Sequence, residues 1–366
     1  MNPGLMVKLR PTGPWRIGPD SGARNQVDLI YHSDSLYAAI TAAMDRLGWL
    51  EDWLAATARN GSSAVGCSSC FPFVEEIGFV IPPRTIWPPS SPALLSARVR
   101  WKSARFVPLG IVPALISGQT LDENQWAVDG ASGCLVPAGR GGPFRMGLRS
   151  NSAVDRLAGN AERHSTACLE FRAGAGLWAL VSFGDGAARA RWLDPLKTAF
   201  RLLADTGFGG ERSRGWGRSE APEFIEGVLP DMILGPQERG PASEDQAPAA
   251  AAAETDRNAG DEERPGPEGT PVAAQPHWLL SLFTPAPTDE VDWDRGSYAV
   301  VERGGRIESP VRFGELKKEL PMIAEGSVLY AAAALRGCAP DVAPDGFAHP
   351  VFRAGFAVSI PLPEAG

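Results

Sequence analysis

Residues 235–276 divide the chain. The stretch GPQERGPASEDQAPAAAAAETDRNAGDEERPGPEGTPVAAQP has no aromatic residue, and Val272 is its one large aliphatic residue. Such a segment cannot bury enough apolar surface to offset the entropy of ordering its backbone. Its composition predicts a disordered linker at 235–276 between folded units at 1–234 and 277–366. The linker also changes how the charge is read. Over all 366 residues the formal charge is −8, which argues against a nucleic-acid binder. Nine acidic residues against three arginines put −6 of that total in the linker. Residues 1–234 hold 24 basic and 22 acidic residues, a net of +2, and residues 277–366 hold 8 and 12. The first unit is therefore open to a polyanionic partner. No apolar run approaches the ~20 residues that span a bilayer. The opening MNPGLMVKLRPTGPW has no secretory core, so a cytoplasmic protein without membrane contact is expected.

In the first unit, Leu5–Arg10 reads as a strand. Leu36, Ala39, Ile40, Ala43, Met44 and Leu47 line one helix face, with Ser33 as N-cap and Gly48 as the stop. Phe71–Ile81 and Arg98–Val107 read as strands, and Cys168–Arg172 with Leu177–Phe183 as a hairpin around Gly174. Trp192–Asp205 is a second helix, ended by Gly207. Strand, helix, strands, helix, strand is the ferredoxin-like order in an α+β fold. Beyond the linker, strands at His277–Phe283, Tyr298–Arg303, Ser327–Leu335 and Val351–Pro361 predict a smaller α+β unit.

The strongest motif is Thr206-Gly207-Phe208-Gly209-Gly210-Glu211-Arg212-Ser213-Arg214-Gly215-Trp216-Gly217-Arg218. Its glycines permit positive φ and close approach of an extended ligand. Successive amides can cradle phosphate oxygens, and arginine adds forked donors. It lacks the Gly-Lys-[Ser/Thr] of a Walker loop, and it follows a helix instead of opening one, unlike a dinucleotide fingerprint.

A helix followed by this G-x-G-G-x-x-S-x-G-x-G pattern resembles the glycine-rich loop of the RAMP superfamily of CRISPR-associated RNA-binding proteins. His32-Ser33-Asp34-Ser35-Leu36 resembles the "HSDTL" helix start of the Csm-series family that caps the crRNA 5′ end in type III-A effector complexes. Trp15-Arg16-Ile17-Gly18, Arg149 to Gly159, Gly176–Val181, Glu325-Gly326-Ser327 and His349–Gly355 match further segments in the same order. The resemblance runs from about Leu9 to Pro361, apart from the linker. It implies two ferredoxin-like, RRM-related domains, a protruding β-thumb in the first, and a grip on the crRNA 5′ handle. It implies docking to a large polymerase-like Cas subunit and to a backbone RAMP subunit, with no nuclease activity. Carried onto this chain, Gly209, Gly210, Arg212, Ser213, Arg214 and Gly217 are the leading handle-binding residues, and His32 and Ser33 come second. Arg145, Arg149 and Arg156 fall on the thumb. Ser35, where the family often has threonine, and the acidic linker are departures. The linker leaves the relative position of the domains open.

Other clusters carry less. Arg98, Arg100 and Lys102 alternate with Val99, Trp101 and Ser103, which on a strand makes a cationic face for RNA, protein or water. Cys67-Ser-Ser-Cys70 supplies two of the four ligands zinc requires, so neither a metal nor a cofactor is expected. Two other functions compete with handle capping. One is a crRNA-processing endoribonuclease with His32 as general base. The other is a mainly structural subunit in which residues 277–366 bind partner proteins.

Overall fold

The computed structural model describes residues 2–19, 22–59, 61, 63–89, 100–154, 161–236, 274–308 and 313–363. β1 (Asn2–Leu9) leads to α1 (Ser33–Arg46) and α2 (Leu50–Leu54). β2 (Val65–Cys67), β3 (Phe71–Val74), β4 (Ile77–Val80), β5 (Val107–Pro108) and α3 (Val112–Ile116) follow. β6 (Trp126–Asp129) pairs with β7 (Cys134–Pro137), and β8 (Phe144–Val154) pairs with β9 (Ala161–Phe171) along their whole length. β10 (Ala175–Phe183), α4 (Gly186–Thr206), β11 (Glu223–Leu229) and α5 (Asp231–Leu234) complete the first half. The second half holds β12 (Gln275–Leu279), β13 (Val291–Ser297), β14 (Val300–Arg303) and β15 (Arg306–Glu308). It continues with β16 (Phe313–Leu316), β17 (Leu320–Ile323), β18 (Val328–Ala331) and β19 (Ser359–Pro361).

The first sheet has the order β11-β1-β10-β3-β4-β5, with β2 also on β10, and its pairs are antiparallel. β11, β1, β10 and β3 with α1 and α4 make the ferredoxin-like arrangement. The second sheet, β13-β18-β12-β19, repeats that wiring. Among the described residues of the second half there is no helix. Of the expected linker, the described ends are structured. Gly235 ends α5 with φ 78°, and Gln275 and Pro276 already belong to β12.

Alternation along β1 sends Leu5, Val7 and Leu9 toward α1 and α4, where Leu36, Ile40, Leu196 and Phe200 close one core. The opposite sheet face carries Phe71, Phe73 and Trp178, which pack with Trp278, Val328 and Ile360 of the second half. The Trp278 indole donates to the Ile81 carbonyl at 3.2 Å, and the Trp178 indole to the Phe79 carbonyl at 2.9 Å. The first sheet is thus covered on both faces, and the halves share a core.

Four expectations change. β9 and β10 are consecutive yet do not pair; β9 belongs to the β8–β9 ribbon and β10 to the main sheet, so Gly174 sits in a crossover between sheets. Arg98 lies outside the described residues, and Trp101–Ser103 is a 3₁₀ turn that buries Trp101 against Trp87, so the described residues Arg100 and Lys102 are not on a strand. α4 begins six residues earlier than Trp192, because Asp185 caps it by accepting from the Ala188 amide at 2.7 Å. β13, with the sequence VDWDRGS, is a charged edge strand that its composition disguised as loop.

Candidate RNA interface

The glycine-rich loop leaves α4 through Gly207, whose φ is 78°. Phe208 then plugs into the core, 4.7 Å from Trp15 and 5.0 Å from Tyr31 between ring centroids. Gly217 lies against it: a Cβ there would stand 2.0 Å from the Phe208 carbonyl oxygen. A Cβ on Gly209 would meet the Arg16 carbonyl at 2.7 Å, and one on Gly210 the Arg16 side chain at 3.0 Å. The close approach these three glycines permit is therefore made by the chain's own backbone and Arg16. Between left-handed Glu211 (φ 60°) and Gly215 (φ 79°), Arg212–Arg214 form a 3₁₀ turn that exposes Arg212, Ser213 and Arg214. That exposed turn is the part of the loop available to a ligand.

The β8–β9 ribbon stands beside it as the expected thumb. Arg145 and Arg149 fall four residues apart on one strand and so share a face. Both contact Glu170 across the ribbon, at 3.0 and 2.5 Å. Met146 and Leu148 are 61% and 65% exposed on the same strand. Ribbon and loop meet where Arg214 approaches His164 Nε2 at 3.5 Å while also pairing with Glu211 at 3.1 Å. At the ribbon's root, an open cleft of about 690 Å³ runs between Thr12–Pro14, Gly141–Gly142 and the pair Arg145–Arg149. Arg156 lies outside the described residues.

His32 and Ser33 sit elsewhere, in the seam between the halves. His32 is 8% exposed, with Nδ1 2.7 Å from Glu325 and Nε2 3.3 Å from Asp28. Ser69 donates a hydrogen bond to the same Glu325 carboxylate. Ser33 Oγ accepts from the Leu282 amide at 3.0 Å, and the Ser33 amide donates to Ser69 Oγ at 2.8 Å. Asp34 is held by Arg303 from two nitrogens, at 3.0 and 3.1 Å, and by Arg353. Burial opposes charge on His32, but Glu325 and Asp28 outweigh it and raise its pKa to about 10. Burial likewise opposes charge on Asp34, and Arg303 and Arg353 outweigh it to bring the carboxyl down to about 2. The polar groups of His32 and Ser33 are thus committed to holding the halves together. Cys67 and Cys70 are buried free thiols, Cys67 pushed up to about 12 by burial. Among the described residues, no group of three His, Cys, Asp or Glu side chains could hold a metal ion.

Residues 273–362 match the family model described as the CRISPR Csm4 C-terminal domain. Over the whole chain, the fold is similar to that in a crystal structure of a Csm3–Csm4 subcomplex of the type III-A CRISPR-Cas interference complex. That match has a TM-score of 0.58 at 15% identity and covers 99% of each chain. A crystal structure of a Csm1–Csm4 cassette in complex with cA4 matches with a TM-score of 0.53 at 16% identity, covering 99% of this chain and 100% of that one. The chain thus has the fold seen in these Csm4-containing complexes. No curated protein is significantly similar to it in sequence. Glu325 and Arg353, each within a segment of the second half that carries the sequence resemblance, are the seam partners of the His32–Asp34 segment in the first. Sequence reasoning did not single out Arg16 or His164; Arg16 lay in a matched segment, and a lone histidine in a strand gave no signal.

Proposed function

We propose that this chain is a non-catalytic RNA-binding subunit of a type III CRISPR effector complex that caps the crRNA 5′ handle. The observation that carries this reading is the meeting of two exposed arginine sets, Arg212 and Arg214 on the glycine-rich loop and Arg145 and Arg149 on the ribbon, at the His164–Arg214 contact. Forked cations on two facing elements suit a ribose-phosphate backbone. In the similar structures, Csm4 is assembled with Csm1 or with Csm3. The corresponding partners here are a large polymerase-like subunit and a backbone RAMP subunit, in the cytoplasm where crRNA is used. Among the described residues no helix is long and apolar enough to cross a membrane.

The setting of His32 speaks against the nuclease alternative. A histidine buried between two carboxylates, with its pKa raised to about 10, is protonated at neutral pH and cannot accept a proton from a ribose hydroxyl. Full-length protein carrying Arg212→Ala with Arg214→Ala should bind handle RNA at least ~10-fold more weakly at fixed salt. Its salt slope should fall by about 1.4, two phosphate contacts on a single strand. Unchanged affinity and slope sink the assignment. Site-specific cleavage of repeat RNA that His32→Ala abolishes would restore the nuclease.

A further inference from the structure

Arg16 is 7% exposed, in a first half whose other highlighted arginines face water. Its guanidinium donates to the carbonyls of Ala23 at 2.9 Å, Arg24 at 3.1 Å, Gln26 at 3.2 Å and Ala167 at 3.0 Å. Ala167 belongs to β9, in the ribbon. The Arg16 carbonyl accepts from the Gly210 amide at 2.8 Å, and its side-chain stem lies under Gly210. On one side, Trp15 exchanges two backbone bonds with Leu169 of β9, at 3.0 and 2.7 Å. On the other, the Ile17 carbonyl accepts from the Asp28 amide at 2.9 Å. One residue therefore touches the glycine-rich loop, the ribbon and the 22–28 loop at once. Four diverging carbonyls need a rigid, multiply donating cation, and guanidinium is the side chain that supplies one.

We infer that Arg16 is a positioning residue that fixes the spacing between the Arg212–Arg214 turn and the Arg145–Arg149 face, and so sets which RNA path the two can grip together. It acts through those elements without touching RNA. The role in recognition rests on the RNA-binding reading; the mechanical tie does not. Recognition by two separated cation sets depends on their register, whereas non-specific attraction depends mainly on the number of charges. Losing Arg16 should therefore cost discrimination more than binding.

The test compares full-length wild type, Arg16→Lys and a control, Asp289→Ala. Asp289 accepts three amide bonds in the second half, so its loss lowers stability away from the loop. Lysine keeps the charge but cannot span the four carbonyls. Amide hydrogen exchange at Ala167, Leu169 and Gly210 should rise together in Arg16→Lys, by about tenfold or more, and not in the control. The preference for handle RNA over a scrambled RNA of equal length should fall about tenfold, with the scrambled affinity and its salt slope at wild-type values. Unchanged exchange at the three amides overturns the proposal. So does an equal fall for both RNAs, the signature of lost fold or of a lost phosphate contact. If Arg16→Lys does not fold, Gly210→Ala decides by amide exchange at Ala167 and Leu169 alone, since its Cβ pushes on Arg16 from the loop side without changing charge; a rise there supports the tie and no change overturns it. Wild-type protein that binds both RNAs equally overturns the handle-binding function, while the exchange data still decide whether Arg16 ties the elements together.

Discussion

Two arginines share one carboxylate at two places in this molecule. On the ribbon, Arg145 and Arg149 share Glu170, with side chains 75%, 53% and 20% exposed. In the seam, Arg303 and Arg353 share Asp34, at 8%, 5% and 3%. The chemistry is the same and the solvent differs. In water such a pair contributes about 0–1 kcal/mol and its cations can exchange the carboxylate for another anion. Out of water, each ion has lost its hydration, and removing one partner leaves the others buried without compensation. An exposed triad is a place where a phosphate can compete, whereas a buried one is a fastener.

The largest expected effect comes from breaking the fastener. Asp34→Ala leaves two buried guanidinium groups facing each other and should destabilise the protein by roughly 3–5 kcal/mol in denaturant unfolding. Its folded fraction should still bind RNA normally. A loss below ~1 kcal/mol would mean that water reaches the seam and that the two triads do not differ.

The seam should next show itself in the pH dependence. The folded pKa of His32, about 10, is raised above its unfolded value of 6.5, so its contribution is complete below that value and is lost as pH rises through about 10. Asp34, lowered from 3.8 to about 2, contributes above the unfolded value and loses that contribution as pH falls through about 2. The Tm of wild type should therefore decline between pH 7 and 10 more steeply than that of His32→Gln. Parallel profiles would take His32 out of the fastener. The smallest effect belongs to the exposed triad. Glu170→Gln should shift stability by less than ~1 kcal/mol and strengthen handle RNA binding a few-fold, because it removes an anion that competes with phosphate. Weakened binding would show that Glu170 orients its arginines.

Local patterns were legible in the sequence where one element decided them. The apolar stripe of α1 ends at Gly48, which has φ 79°, and the helix runs Ser33–Arg46 as its spacing predicts. Ser33 itself is the first helical residue and His32 the cap, because Ser33 spends its hydroxyl on Leu282. The early start of α4 was hidden by Gly186, a residue that reads as a breaker and that the Asp185 cap overrides. The glycine-rich loop was recognisable, yet the partner of its glycines was not, since Arg16 lies nearly 200 residues upstream. The seam was the least legible part. His32 and Glu325 are 293 positions apart and Asp34 and Arg353 are 319, so neither periodicity nor spacing connects them.

The covered sheet bears on how a nucleic acid would be read. An RRM stacks bases on aromatic side chains across an open sheet. Here that face carries Phe71, Phe73 and Trp178, and the second half has taken it. What remains for RNA is the rim: a turn, a ribbon edge and a cleft between them. A rim follows the course of a ribose-phosphate chain and offers few flat surfaces to individual bases. Recognition built this way would follow the contour of a strand, and its preference for one RNA over another would rest on how the turn and the ribbon are spaced.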